Sequence, residues 1–434
     1  MKRKISAQLY AWSRKETKKP LVLLGARQTG KTTSVLDLGS RRYERVVHID
    51  FYRQPHLKAA FAGSLEPRVV VRTLEALLAC DIPVEGTLLF LDEIQDCDQA
   101  VTSLKFFCSD LPQLDVVAAG SLLGVHMERT GSFPVGYVEL LELHPMDFEE
   151  FCWAVGEQRA FELVRESWLT MTSCALHDRM TALYRDYLMV GGMPEAVQRH
   201  AAGASLGEVR LVQNAIRTAY VADMAKYASA VDASKISACW ESMPSQLAKE
   251  SGSTKFMWKL VASGAKAERY ATAVEWLAAA GVVSKCTQVS DGVAPLKSFE
   301  RPSSFKLYLA DTGLLASMYD ATPLDLDGVD HRSARFRGGL AENYAMQQLV
   351  AGGVTPYYWG AQSSGEIEFV VRLREGVVPV EVKSGVRVRS ASAARFAEKY
   401  GCPYLVRVSG KDFGATERVR SVPLYAAGLV AEWV

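Results

Sequence analysis

The 434-residue sequence predicts an α/β fold in three parts: a parallel sheet, a helical and winged-helix-like middle, and a small C-terminal α/β domain. Three observations carry this. Four short, mainly apolar runs alternate with helical stretches in the first third. The pattern changes to long helices near Pro145. Strand and helix signals return together after a polar stretch at Asp320–Ser333. The implied boundaries are residues 1–155, 156–325 and 331–434, and two or three domains is the ordinary expectation for this length.

In the first part Leu21–Leu24, Leu88–Leu91 and Val116–Ala119 are apolar throughout, and Val46–Ile49 is a similar run with one His at position 48. Strands buried on both faces read this way, because helices cover each side of a parallel sheet. Thr32–Leu38 and Arg68–Ala79 are long enough to cross over between them. In the middle, Phe148–Val164 and Met180–Leu188 are helical and lead to the turn Gly191-Gly192-Met193-Pro194, followed by a run to about Ala228. Gln246 to Lys249, the helix Tyr270–Ala280, the stop at Gly281 and the β-rich Val282–Val289 have the outline of a winged helix. The last part reads as helix Gly339–Val350, strands Glu366–Arg372 and Val377–Val382, helix Ala391–Tyr400 and strand Tyr404–Val408.

Composition narrows the class. Hydrophobic residues at 49% and charged residues at 23% are the proportions of a globular chain, and the formal charge of +1 favours no partner by sign. The eight cysteines include no C-x-x-C pair and no neighbouring histidine cluster, which argues against zinc and redox motifs. The basic segment Met1 to Lys19 lacks the apolar core of a secretory signal, and no apolar run approaches the ~20 residues of a membrane helix. The expected location is cytoplasmic, with no membrane partner.

Gly25-Ala26-Arg27-Gln28-Thr29-Gly30-Lys31-Thr32-Thr33 follows the first apolar run and opens a helical stretch. This is the phosphate-loop (Walker A) pattern of a P-loop NTPase. Glycines let the backbone curl so that N–H groups converge on phosphate oxygens, and the new helix adds its positive end. Lys31 is expected to reach the β- and γ-phosphates, and the Thr32 hydroxyl to ligate Mg²⁺. Leu88–Leu91 ends in Asp92-Glu93, a Walker B pattern. Asp92 is expected to serve Mg²⁺, and Glu93 to polarise the attacking water. Ser121, after Val116–Ala119, is placed to approach the γ-phosphate, although a simple turn serine has the same spacing. The cofactors implied are ATP and Mg²⁺.

Near the C-terminus, alternation sets Glu381 and Lys383 on one face of a strand, with Glu368 on the strand before and Glu342 on the preceding helix. Carboxylates and a lysine converging on a small sheet suit a divalent metal and a water nucleophile. A surface salt bridge between Glu381 and Lys383 accounts equally for that pair. Residues 331–434 hold 14 Lys and Arg against 9 Asp and Glu, a mild surplus suited to phosphate contacts.

The phosphate loop just described, Phe133-Pro134-Val135-Gly136, Leu143–Phe151, Gly191–Glu195, Pro244–Ala248 and Leu307–Leu315 together resemble one family. It is the bacterial and archaeal family of AAA-like P-loop ATPases with a conserved C-terminal domain of unknown function, and the resemblance spans nearly the whole chain. The family's C-terminal part is similar to PD-(D/E)XK nucleases. That likeness implies Glu342 as the helix carboxylate, Glu381 and Lys383 as the E-x-K pair, and Glu368 at the aspartate position. There the sequence departs by one methylene. Two functions stay open on this basis. One is an ATP-driven protein whose nuclease-like domain acts on or binds DNA. The other is an ATP-dependent switch or scaffold that binds a protein partner or itself, with an inactive nuclease-like fold.

Overall fold

The computed structural model of the chain describes residues 1–121, 134–227, 229–248, 255–328, 331–361, 365–386 and 391–434. Phe133, Ala228 and Lys249 lie outside the described residues. The chain forms two compact units, one of Lys2–His144 with Ala279–Gly281, the other of Pro145–Ala278 with Val282–Val434.

The first unit is a five-stranded, all-parallel sheet in the order β2-β3-β4-β1-β5. Its strands are β1 (Leu21–Leu24), β2 (Arg45–Asp50), β3 (Thr87–Asp92), β4 (Asp115–Ala119) and β5 (Glu139–Glu142). Helices α1 (Ile5–Ser13), α2 (Lys31–Arg42), α3 (Pro67–Leu78) and α4 (Asp98–Asp110) flank them. Alternation explains the uninterrupted apolar runs. Val22, Leu89 and Leu91 enter a core with α3 and α4 residues Leu74 and Leu104. Leu21, Leu23, Leu88 and Phe90 enter another with Leu9 and Trp12 of α1 and Val35 of α2. β1, β2, β3 and β4 feed both layers, while the edge strand β5 packs Leu141 against one. Because β4 lies between β1 and β3, the loops after all three strands open on one edge of the sheet.

The second unit begins with helices, including Phe148–Ala154, Gln158–Thr170, His177–Val190, Pro194–Ala201 and Leu206–Tyr227. An eight-stranded mixed sheet follows, in the order β12-β13-β11-β10-β9-β8-β6-β7. Its strands are β6 (Val283–Val289), β7 (Glu300–Leu309), β8 (Tyr357–Ala361), β9 (Gly365–Leu373), β10 (Gly376–Val382), β11 (Leu405–Ser409), β12 (Gly414–Ala415) and β13 (Val419–Pro423). The helix Ala267–Ala279 stops before Gly281, whose φ is +70°, as the sequence predicts. The β6–β7 hairpin also follows as expected, but β6 pairs with β8 on its other side. The hairpin is thus continuous with the C-terminal strands and is not a free wing. The polar stretch at Asp320–Ser333 includes a short 3₁₀ turn at Pro323–Leu326, and the helix expected from Gly339 starts at His331.

Three of the signature segments meet in this unit, and packing accounts for them. Asp147 and Glu150 cap the helix Phe148–Ala154 reciprocally. The Gly192 carbonyl accepts from the Met146 N–H at 2.7 Å, while the Gly192 N–H donates to Asp311 Oδ2 at 2.5 Å. A Cβ at Gly192 would lie 2.0 Å from the Met146 carbonyl oxygen, so no side chain fits there. Burial pushes the Asp311 carboxyl up to about 6 against the pull of the Gly192, Leu314 and Gly313 N–H groups.

Candidate functional site

The loop Gly25–Gly30 joins β1 to α2 through two left-handed positions, Gln28 at φ +66° and Gly30 at φ +96°. Gly25 has φ +145°, and a Cβ there would meet the Leu143 carbonyl oxygen at 2.3 Å. Only glycine fits that approach. Inside the curl, the Lys31 ammonium donates to the carbonyls of Gly25 and Ala26, each at 2.8 Å. Burial lowers its pKa to about 8, against the opposing pull of Glu93 and Asp92. Thr29 is fully buried and its hydroxyl donates to the Ala26 carbonyl, so it holds the loop's own shape. Arg27 is half-buried; Gln28 and Thr33 are exposed.

Thr32 and Asp92 come together: the hydroxyl donates to Asp92 Oδ2 at 2.7 Å. The Glu93 N–H donates to the other carboxylate oxygen at 3.0 Å. Glu93 has φ +49°, a left-handed turn at the end of β3. Its Oε2 accepts from Gln95 Nε2 at 2.6 Å and from the Ser121 hydroxyl at 3.3 Å. Ser121 reaches Glu93 because β4 is inserted between β1 and β3. The structure thus groups Lys31, Thr32, Asp92, Glu93 and Ser121 on one edge. Ammonium, helix-start N–H groups, hydroxyl and carboxylate are the donor set that MgATP requires.

Three neighbours escaped the sequence reading. His48 stacks on Phe90 at 4.7 Å and places Nε2 3.3 Å from Asp92 Oδ2, because β2 and β3 pair in register. Gln95 is the second, and its proximity to Asp92-Glu93 was the available signal. Arg3 is the third and had none. Its guanidinium donates to the Thr29 carbonyl at 2.8 Å and to the His144 carbonyl at 2.7 Å. A planar trans peptide that turns the Thr29 carbonyl toward Arg3 turns the Gly30 N–H the other way, into the curl. A charge-assisted hydrogen bond to a buried group contributes about 1.5–3 kcal/mol. Arg3→Ala is therefore expected to weaken binding of a fluorescent ATP analogue by about 10-fold or more. Lys at this position should restore part of the loss, and equal affinity for Arg3→Ala and wild type would remove the role.

In the second unit the C-terminal carboxylates also lie close to one another, each beside a cation. Lys383 Nζ is 2.5 Å from Glu368 Oε1 and 3.6 Å from Glu381 Oε1. Arg407, register partner of Glu381 across β10 and β11, places Nε 3.3 Å from Glu381 Oε2. Glu342, on the helix His331–Ala351, meets Lys306 of β7 at 2.8 Å and accepts from the Tyr308 hydroxyl. Lys306 also reaches Glu366 at 2.6 Å. Burial alone would raise the Glu342 carboxyl, but Lys306 and the two hydrogen bonds hold it below its ordinary range. Burial raises the Glu368 carboxyl, with Lys383 pulling the other way. Among the described residues, no group of three or more His, Cys, Asp or Glu side chains is placed to hold one metal ion. Nor is any described helix long and apolar enough to cross a membrane.

Three stretches match known families: residues 17–152 the AAA domain, residues 181–325 a domain of unknown function (DUF8612), and residues 337–427 a second such domain (DUF4143). A search of curated proteins returned no match. Among solved structures the chain is similar to the Walker-type ATPase PABY2304 of Pyrococcus abyssi. Identity is 13% and the TM-score 0.44, over 73% of this chain and 95% of that one. It is also similar to the ORC1 protein of Aeropyrum pernix in complex with DNA, at 13% identity and TM-score 0.28, covering 79% and 93% of the two chains. For the ADP form of the Aeropyrum pernix ORC2 protein, identity is 13% and the TM-score 0.31, over 70% and 90%. The stretch 17–152, with its parallel sheet and phosphate loop, is an AAA-like P-loop domain.

Proposed function

We propose that the chain is an ATP-dependent switch: the AAA-like domain binds MgATP and hydrolyses it slowly or fast, and the second unit carries the response to a partner. The observation behind the ATPase part is the grouping of Lys31, Thr32, Asp92, Glu93 and Ser121. Lys31 and the N–H groups at the start of α2 bind the phosphates. Thr32 and Asp92 would hold Mg²⁺, which would neutralise phosphate charge. Glu93 takes the proton of the attacking water, and Ser121 and Gln95 fix the carboxylate's orientation.

Lys31 gives this reading a signature in pH. With a pKa near 8 in the free protein, its ammonium is partly deprotonated at and above that pH. Bound phosphate anions favour the charged form and raise the pKa. Nucleotide binding should therefore take up protons, more at pH 9 than at pH 7, read by calorimetry in buffers of differing ionisation heat. Uptake that does not grow with pH would count against Lys31 as the phosphate contact.

The basic surplus of residues 331–434 favours a second reading, in which the C-terminal domain acts on or binds DNA. One reaction series in Mg²⁺ and Mn²⁺ separates the two, following ATP hydrolysis and plasmid nicking with wild type, Lys31→Ala and Glu381→Ala. ATP turnover lost in Lys31→Ala, with no nicking by any protein, supports the switch. Nicking that disappears in Glu381→Ala replaces it with a metal nuclease.

A further inference from the structure

The carboxylates of the second unit do not fit a divalent metal, and the reason is local. Glu342, Glu366, Glu368 and Glu381 arise from one helix and two adjacent strands, and each already has a cation within 3.6 Å. Lys306 is the innermost of these cations, with its side chain 1% exposed. Its ammonium bridges Glu342 at 2.8 Å and Glu366 at 2.6 Å, two carboxylates from different elements. The Tyr308 hydroxyl donates to the same Glu342 oxygen. A hard divalent cation would need those oxygens for itself, in its own coordination geometry. It would also have to displace an ammonium whose side chain is 1% exposed. We infer that Lys306 is the resident cation of this cluster, standing where a metal would, so that the cluster takes no divalent ion while Lys306 is present. Removing Lys306 would leave two carboxylates and a phenol oxygen facing the space its ammonium fills, an oxygen set suited to Mn²⁺ or Mg²⁺.

The inference does not depend on the nucleotide reading, and its test uses no nucleotide. The full chain, carrying Asp92→Asn to silence the first unit, is titrated with Mn²⁺ while free Mn²⁺ is followed by electron paramagnetic resonance. The parent should hold no Mn²⁺ that Glu342→Gln or Glu381→Ala removes. Lys306→Ser should gain one Mn²⁺ with a Kd below a millimolar, weakened at least ~10-fold by adding Glu342→Gln. Mn²⁺ should also raise the melting temperature of Lys306→Ser and not that of the parent. A Mn²⁺ bound by the parent and lost in Glu342→Gln or Glu381→Ala overturns the inference. So does a folded Lys306→Ser that binds none. If Lys306→Ser does not fold, the parent compared with Glu381→Ala still decides.

Discussion

Replacing Glu93 with Gln should lower steady-state ATP turnover by about 10²–10⁴-fold, the usual contribution of a positioned general base, while nucleotide affinity stays close to wild type. The amide keeps the shape of the side chain and can still accept from Gln95 and Ser121, which hold Glu93 Oε2 at 2.6 and 3.3 Å. It cannot take a proton from water. Lys31→Ala should differ in kind. It removes the charge that meets the phosphates, so binding and turnover fall together. Single-turnover rates and analogue affinity, measured side by side, distinguish the two patterns. Wild-type turnover in Glu93→Gln would return Glu93 to the ordinary status of an acidic strand end. Equal affinity and turnover in Lys31→Ala would remove the phosphate-loop assignment altogether.

The second large effect is on stability. Lys306→Met should destabilise the second unit by about 3–5 kcal/mol near neutral pH, because it leaves Glu342 and Glu366 facing each other without their shared cation. Methionine matches the volume, so little of the loss comes from a cavity. The pH dependence follows from Glu342, whose pKa is held down in the folded wild type. A depressed carboxyl stabilises the fold above its unfolded pKa, about 4.3, and that contribution is lost as pH falls through the folded value. Without Lys306 the largest remaining influence is burial, which raises the carboxyl, so the variant gains stability on acidification. The gap between the two proteins should be widest near pH 7 and close toward pH 4, read as melting temperatures by calorimetry. A gap that is constant across this range would show that packing, not charge, explains the loss.

Much of the first unit was legible because its signals are local. A glycine-rich turn between an apolar strand and a helix, and carboxylates at the end of a second such strand, are properties of consecutive residues. Continuous apolar runs also announce strands buried on both faces. The parallel sheet, the phosphate loop and the positions of Lys31, Thr32, Asp92 and Glu93 at the ends of their elements could therefore be read from consecutive residues. Alternation also put Glu368, Glu381 and Lys383 on strands, and helical spacing put Glu342 on the helix before them. Strand order was beyond it, and strand order is what inserts β4 between β1 and β3 and brings Ser121 to Glu93. Arg3 lies 26 residues from Thr29 and 141 from His144, separations that no pattern reports. The β6–β7 hairpin read as a separate wing because nothing local marks the edge of β6 that pairs with β8. Only that pairing puts Lys306 into the C-terminal carboxylates. That Lys306 fills the space between Glu342 and Glu366 depends on which distant side chain packs there, which no run of consecutive residues reports.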